Sequence, residues 1–175
     1  MPSLRHASVA ETWNVSGYPA LSAQTAAWRL TRPSSCVRVL DSTPVYTNTK
    51  AKCVALQAGG VGVTVSAHRG VPRDPQVLAQ LPGLSVTVAD ELILARGFDV
   101  VLDCAGTHTD VPSRLGNVEL TRSSFVHNLH CSQPVLVVDS GVLKRNETTL
   151  GTGNVHVRAM AHLGHPLGTG PATSS

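Results

Sequence analysis

The apolar run Val135-Leu-Val-Val138 opens abruptly into Asp139-Ser140-Gly141. So short and valine-rich a run fits a strand buried on both faces, as strands of parallel sheets are. Lys144, Arg145, Glu147, Thr148 and Thr149 follow together, and then Gly151 and Gly153. In open α/β sheets, ligands sit just past the carboxyl ends of the strands. The stretch Gln133–Gly153 is therefore where a small polar ligand is expected, and its first half demands a sheet with cover on both faces.

Other segments repeat the pattern. Cys36–Asp41, 61–67, 84–88 and the strong run Phe98–Asp103 read as strands, as does a shorter one at 117–121. Between them lie helical stretches. Leu21–Leu30 is alanine-rich, with Leu21, Thr25 and Trp28 on one face. Ser42, Thr43 and Pro44 supply a cap and a first-turn proline for a helix running to Ala58, which Gly59-Gly60 stops. Asp74-Pro75 opens a short helix by the same chemistry, and helical turns are expected at 90–96, 111–115 and 124–130. Two further helices are placed at 142–150 and 154–163, with Gly151-Thr152-Gly153 as the turn between them. This alternation predicts an α/β three-layer sandwich with a mainly parallel sheet, Rossmann-like in plan. Residues 1–35 form an N-terminal arm and helix, 36–164 the α/β domain, and 165–175 a Gly/Pro/Ser/Thr-rich tail expected to be disordered.

Composition narrows the class. Hydrophobic residues make up 42% and charged residues 14%, which suits a compact domain, while 3% aromatics leave Val, Leu and Ala to build the core. The net charge of +3 is scattered, so nucleic acid is not an expected partner. No apolar run approaches the roughly 20 residues of a membrane span. Met1–Glu11 lacks the apolar core of a signal peptide, so a cytoplasmic location is expected. Cys36, Cys53, Cys104 and Cys131 form no Cys-x-x-Cys pair and read as reduced thiols. Self-association into a homo-oligomer is compatible with all of this.

Asp103, Glu119, Asp139, Lys144 and Glu147 lie at or just beyond strand ends, which a parallel sheet gathers on one edge. Carboxylates and a lysine there suit ribose hydroxyls and proton transfer, although ordinary caps and surface ion pairs would have the same spacing. Gly151-Thr-Gly153 before a helix is a weak phosphate-cradle signal, since Gly-x-Gly-x-x-Gly is incomplete. His127, His130 and Cys131 have metal-compatible spacing without further ligands, and no metal is expected.

Several of these pieces occur in the order of one family. Residues 135–153 resemble the stretch of S-adenosylhomocysteine hydrolases that runs Val-Asn-Asp-Ser-x-Thr-Lys-x-x-x-Asp-Asn-x-Tyr-Gly-Thr-Gly, with Lys144 at the lysine and Glu147 near the aspartate. Residues 100–107 are similar to the family's Leu-Asp-Asp-Gly-Gly-Asp strand end, 118–129 to its Glu-Glu-Thr-Thr-Thr-Gly-Val-His segment, and 43–63 to its helix before Gly-Ala-Glu-Val. The resemblance covers about residues 36–164. It implies the substrate-domain half of an adenosylhomocysteinase, which splits S-adenosylhomocysteine to adenosine and homocysteine with bound NAD. By the same resemblance, Asp103, Glu119 and Lys144 hold a nucleoside-type ligand, Lys144 and Glu147 are the catalytic pair, and Thr121 lies near the nicotinamide. The chain departs from the pattern at Pro44, where the family has a catalytic His, and at Cys104, where it has an Asp. The family's NAD domain would follow Ser175. The expectation is that the isolated chain binds no NAD and turns nothing over, or is a non-catalytic α/β module for a nucleoside-like ligand or a protein partner.

Overall fold

The computed structural model describes residues 18–164 apart from 69 and 122–124. The arm at 1–17, with Trp13, and the expected disordered tail at 165–175 lie outside the described residues. The chain divides into two compact units, Met1–Val137 and Val138–Ser175.

The first unit carries a six-stranded sheet. In chain order its elements are α1 (Pro19–Thr31), β1 (Arg38–Asp41), α2 (Thr47–Ala58), β2 (Gly62–Ser66), α3 (Pro75–Gln80), β3 (Thr87–Ala89), α4 (Glu91–Leu94), β4 (Phe98–Asp103), β5 (Ser113–Glu119), α5 (Phe125–Asn128) and β6 (Val135–Val137). The strands lie in the order β3-β2-β1-β4-β5-β6. Every neighbouring pair is parallel. This is the 3-2-1-4-5-6 order of the Rossmann fold, so the α/β plan expected from the strand–helix alternation is the one found.

Period-two alternation sorts the side chains onto two faces. Val39, Val63 and Val65 pack with Cys53 of α2 and with Val77 and Leu81 at α3. Leu40 and Val101 face the other way and, with Phe98 at the start of β4, pack with Ile93 and Leu94 of α4. Helices thus cover both faces. Asp74 caps α3 by accepting from the Gln76 and Val77 amides, and Asp90 caps α4 through the Ile93 amide at 2.8 Å.

Three local expectations are corrected. First, α2 begins at Thr47, not Pro44, because Thr43 is held by its own strand end and Val45 is bridged to Arg73. Tyr46 becomes the N-cap, its amide donating to Thr49 Oγ1 at 3.0 Å. Second, 111–115 is not a helical turn: Ser113 already pairs with Phe98, and β5 runs unbroken to Glu119. Between Phe98↔Ser113 and Val100↔Gly116 the register slips, so β5 carries a bulge with Gly116 at φ 129°. Third, in the second unit, Gly151-Thr152-Gly153 is no turn. Helix α6 (Val142–Asn146), a π-helical turn (Glu147–Gly151) and α7 (Thr152–His162) follow one another directly. The amides of 151–153 belong to a continuous helical run and form no phosphate-gripping loop.

Gly116 yields the first prediction. A Cβ there would strike the Pro134 carbonyl oxygen, a rigid backbone atom, in a conformation that side chains rarely adopt. Gly116→Ala should cost about 1–3 kcal/mol of stability, read as a lower urea midpoint. An unchanged midpoint would mean that the bulge is not fixed.

Candidate functional site

β1 and β4 are neighbours whose connections leave in opposite directions, β1 toward β2 and β4 toward β5. Their carboxyl ends therefore flank the crevice in which such sheets bind ligands. β1 ends in Asp41-Ser42-Thr43 and β4 in Asp103-Cys104.

Asp41 is fully buried. Its Oδ1 accepts from the Thr43 amide at 3.1 Å and the Thr43 hydroxyl at 2.7 Å. Its Oδ2 lies 2.6 Å from the Lys52 ammonium, which also donates to Thr43 Oγ1. Lys52 reaches the strand end because it stands on the sheet-facing side of α2, between buried Thr49 and Cys53. Burial and the nearby Asp41 push the Cys53 thiol up to about 11 against the opposing pull of Lys52, which makes it an inert core group.

On the opposite face, the loop after β4 wraps around its own strand end. Asp103, also fully buried, accepts at Oδ1 from the amides of Cys104 (2.8 Å) and Thr107 (3.1 Å) and from the Thr107 hydroxyl (2.8 Å). Ala105 and Gly106, at φ 66° and 64°, turn the chain tightly enough for this. The Thr107 hydroxyl lies 2.6 Å from Ser42 Oγ, tying the two strand ends together. His108 Nε2 lies 2.6 Å from Ser66 Oγ at the end of β2. The His68 ring stands edge-on to it at 5.6 Å. Burial holds the His108 imidazole below its ordinary pKa. Asp103 and Asp110 oppose that shift, and His68 reinforces it.

Glu119 pairs in register with Asp103 and is equally buried. Its Oε1 accepts from the Thr121 amide (2.8 Å) and hydroxyl (3.0 Å), and its Oε2 from Asn128 Nδ2 (3.2 Å). Of the residues singled out in the sequence, Asp103, Glu119 and Thr121 are thus brought together at one sheet edge. Lys144 and Glu147 belong to the second unit, where they pair with each other at 2.9 Å. Asp139 lies there too, in a 3-10 turn at Val138–Ser140 rather than on a strand.

A cavity of about 510 Å³ opens on the α2 side of these strand ends. Lys52, Thr43 and Tyr46 form one wall, and Leu102, Val118 and Leu120 of the β4–β5 edge form the floor. Pro44, which takes the place of the family histidine in the resemblance, lines it as well. Its size falls within the ~300–1,000 Å³ of small-molecule sites, and mostly apolar walls with a few polar groups are their usual make-up. Asp41 and Lys52 were not singled out in the sequence. The available signal was that Val-Leu-Asp41 ends its strand as Val-Leu-Asp103 does, but Ser42-Thr43-Pro44 looked like a helix cap. Among the described residues, no group of three or more His, Cys, Asp and Glu could hold a metal ion, and no helix is long and apolar enough to cross a membrane. No protein-family model matches the sequence, and no curated protein is significantly similar to it.

Two predictions follow from the strand ends. Lys52→Met leaves the Asp41 carboxylate buried without its cation. The cost should be about 2 kcal/mol, below the ~3–5 of a fully buried broken pair, because Lys52 is 30% exposed. Adding Asp41→Asn to Lys52→Met should recover part of the loss in a double-mutant cycle, and additive losses would deny the coupling.

His108 gives a pH dependence. Its folded-state pKa is lowered, so its stabilisation is complete above the unfolded value of about 6.5 and is lost as pH falls through the folded value. Its slope is at most ~1.4 kcal/mol per pH unit. Urea unfolding at several pH values between 5 and 8 should show a smaller acid loss for His108→Gln than for the unsubstituted chain. Equal slopes would refute the assignment.

Proposed function

We propose that this chain is an adenosylhomocysteinase-like α/β domain that binds a nucleoside-type ligand in the crevice beside Lys52. The observation that carries this is the crevice itself: it lies at the β1/β4 switch point, with an apolar floor and one ammonium group in its wall. The Leu102–Val118–Leu120 floor suits the face of a planar base. Lys52 and Thr43 suit ribose oxygens, and Asp41 balances the lysine charge so that an uncharged ligand is accepted. Asp103, Glu119 and Thr121 contribute by fixing the loops of the β4–β5 edge, since their polar atoms engage one another and their own backbone. The ordered resemblance of residues 36–164 supports the same ligand class.

Hydrolase chemistry is the second reading. It keeps Lys144 and Glu147 as the proton-transferring pair, Thr121 beside the nicotinamide, and NAD as the cofactor. Pro44 weighs against it, because a proline at the crevice wall offers no proton acceptor.

A thermal-shift series with adenosine, S-adenosylhomocysteine and NAD tests both readings, because a ligand that binds only the folded chain raises its melting temperature. Adenosine should stabilise the chain, and Leu120→Trp, which fills the crevice, should cancel the shift. No shift with adenosine, or a shift that survives Leu120→Trp, would remove the crevice from the proposal. Adenosine release from S-adenosylhomocysteine and NAD should not exceed that of a Lys144→Ala control, and a clear excess would favour the hydrolase reading.

A further inference from the structure

A second cavity, of about 300 Å³, lies at the amino-terminal ends of β1, β2 and β3, away from the switch-point edge. Two arginines line it, Arg38 on β1 and Arg96 just after α4. Both arginines are exposed, and among the described residues neither forms an ion pair. Asp99, the carboxylate whose charge Arg38 influences, is occupied by Arg114 Nε at 2.7 Å and by the Arg38 amide at 2.7 Å. The hydroxyls of Thr64 and Thr87 add neutral donors, and Phe98 adds an apolar wall.

The recess between the arginines exists because β2 places Gly62 beside Arg38. Packing does not require that glycine. A Cβ there would come no closer than 3.8 Å to any atom, its nearest neighbours being the Val37 carbonyl oxygen and Arg38 Cγ. Nor does Gly62 adopt a positive φ. A strand residue with room for a side chain, no conformational need for glycine and two cations in the same cavity is an open floor facing a positive rim. Gly62, the first residue of β2, leaves that floor open, and arginine guanidinium groups match the oxygens of a phosphoryl group.

We infer that this recess is a phosphoryl-binding site, taking inorganic phosphate or the head of a small phosphate monoester between Arg38 and Arg96 over Gly62. It is independent of the crevice beside Lys52, so neither proposal depends on the other.

The test is titration of the full chain with inorganic phosphate and with phenyl phosphate, by calorimetry and thermal shift, at constant ionic strength against sodium chloride. Saturable binding is expected. Arg38→Gln and Arg96→Gln should each weaken it tenfold or more. Gly62→Val keeps both cations, introduces a residue favoured in strands, and should abolish binding by filling the recess. Tighter binding of phenyl phosphate would identify a monoester whose body rests on Phe98, and equal binding would identify the free anion. Absence of saturable binding to both probes overturns the inference. So does affinity unchanged by either arginine substitution, or retained in Gly62→Val. Arg38→Lys and Arg96→Lys keep the charge without the fork. A partial loss in them, with the ligand-free melting temperature unchanged, separates lost recognition from lost folding.

Discussion

A carboxylate buried at the end of a parallel strand has to be neutralised or hydrogen-bonded by whatever chain comes next. Three strands of this sheet end that way, at Asp41, Asp103 and Glu119, all fully buried. Each carboxylate is met by donors a few residues downstream: Thr43, with Lys52 beyond it, for the first, Thr107 for the second, and Thr121 for the third. The loops at the carboxyl edge are therefore shaped by the strands they leave. The Ser42–Thr107 contact then joins two of these closed turns across the switch point. With hydroxyl and amide donors occupied on one face, the α2 face is left with Lys52, its neighbouring hydroxyl and a leucine-valine floor.

How much of this was legible in the sequence depended on whether the local pattern had a competitor. Phe98–Asp103 is apolar apart from Asp99 and the closing Asp103 and follows a glycine, and its limits were read correctly. Only the second half of β5 was read, as a strand at 117–121, because Gly116 and the bulge break its alternation and the Pro112 region resembles a turn. The true limits appear only in the pairing with β4. The start of α2 was misplaced because Thr43-Pro44 has the chemistry of a cap, but Asp41 and Lys52 claim the Thr43 hydroxyl first. Gly151 and Gly153 looked like breaks, yet a π-helical turn carries the helix through them. Asp103 stood out because it closes the apolar run Val100-Val101-Leu102, and Glu119 because it is the one carboxylate of the short strand read at 117–121. Lys52 did not, since its importance comes from a helix face defined only against the sheet.

The two cavities use the sheet in opposite ways. At the carboxyl edge the strands deliver polar groups and their loops consume them, leaving a mainly apolar crevice. At the amino edge the strands begin with Arg38 and Gly62, and no carboxylate lines the recess between them. Charge is thus compensated at one end and displayed at the other. A neutral ligand suits the first end and an anion the second.

The strand order has a consequence for how the chain is assembled. β1 sits in the middle of the sheet, but its two neighbours come from different parts of the sequence. β2 follows after a single helix, whereas the Arg38–Asp99 and Ser42–Thr107 hydrogen bonds span 61 and 65 residues. During synthesis, β1, β2 and β3 emerge before β4 exists, so β1 waits as an unpaired edge with its backbone groups open to any passing strand. The same long-range closure slows folding, since the entropy of joining distant segments is lost before their contacts form. The Ser42–Thr107 contact therefore falls on the seam where segments synthesised first are joined to segments synthesised later. Chains stalled before residue 103 would expose the hydrogen-bonding edge that becomes the centre of the finished sheet.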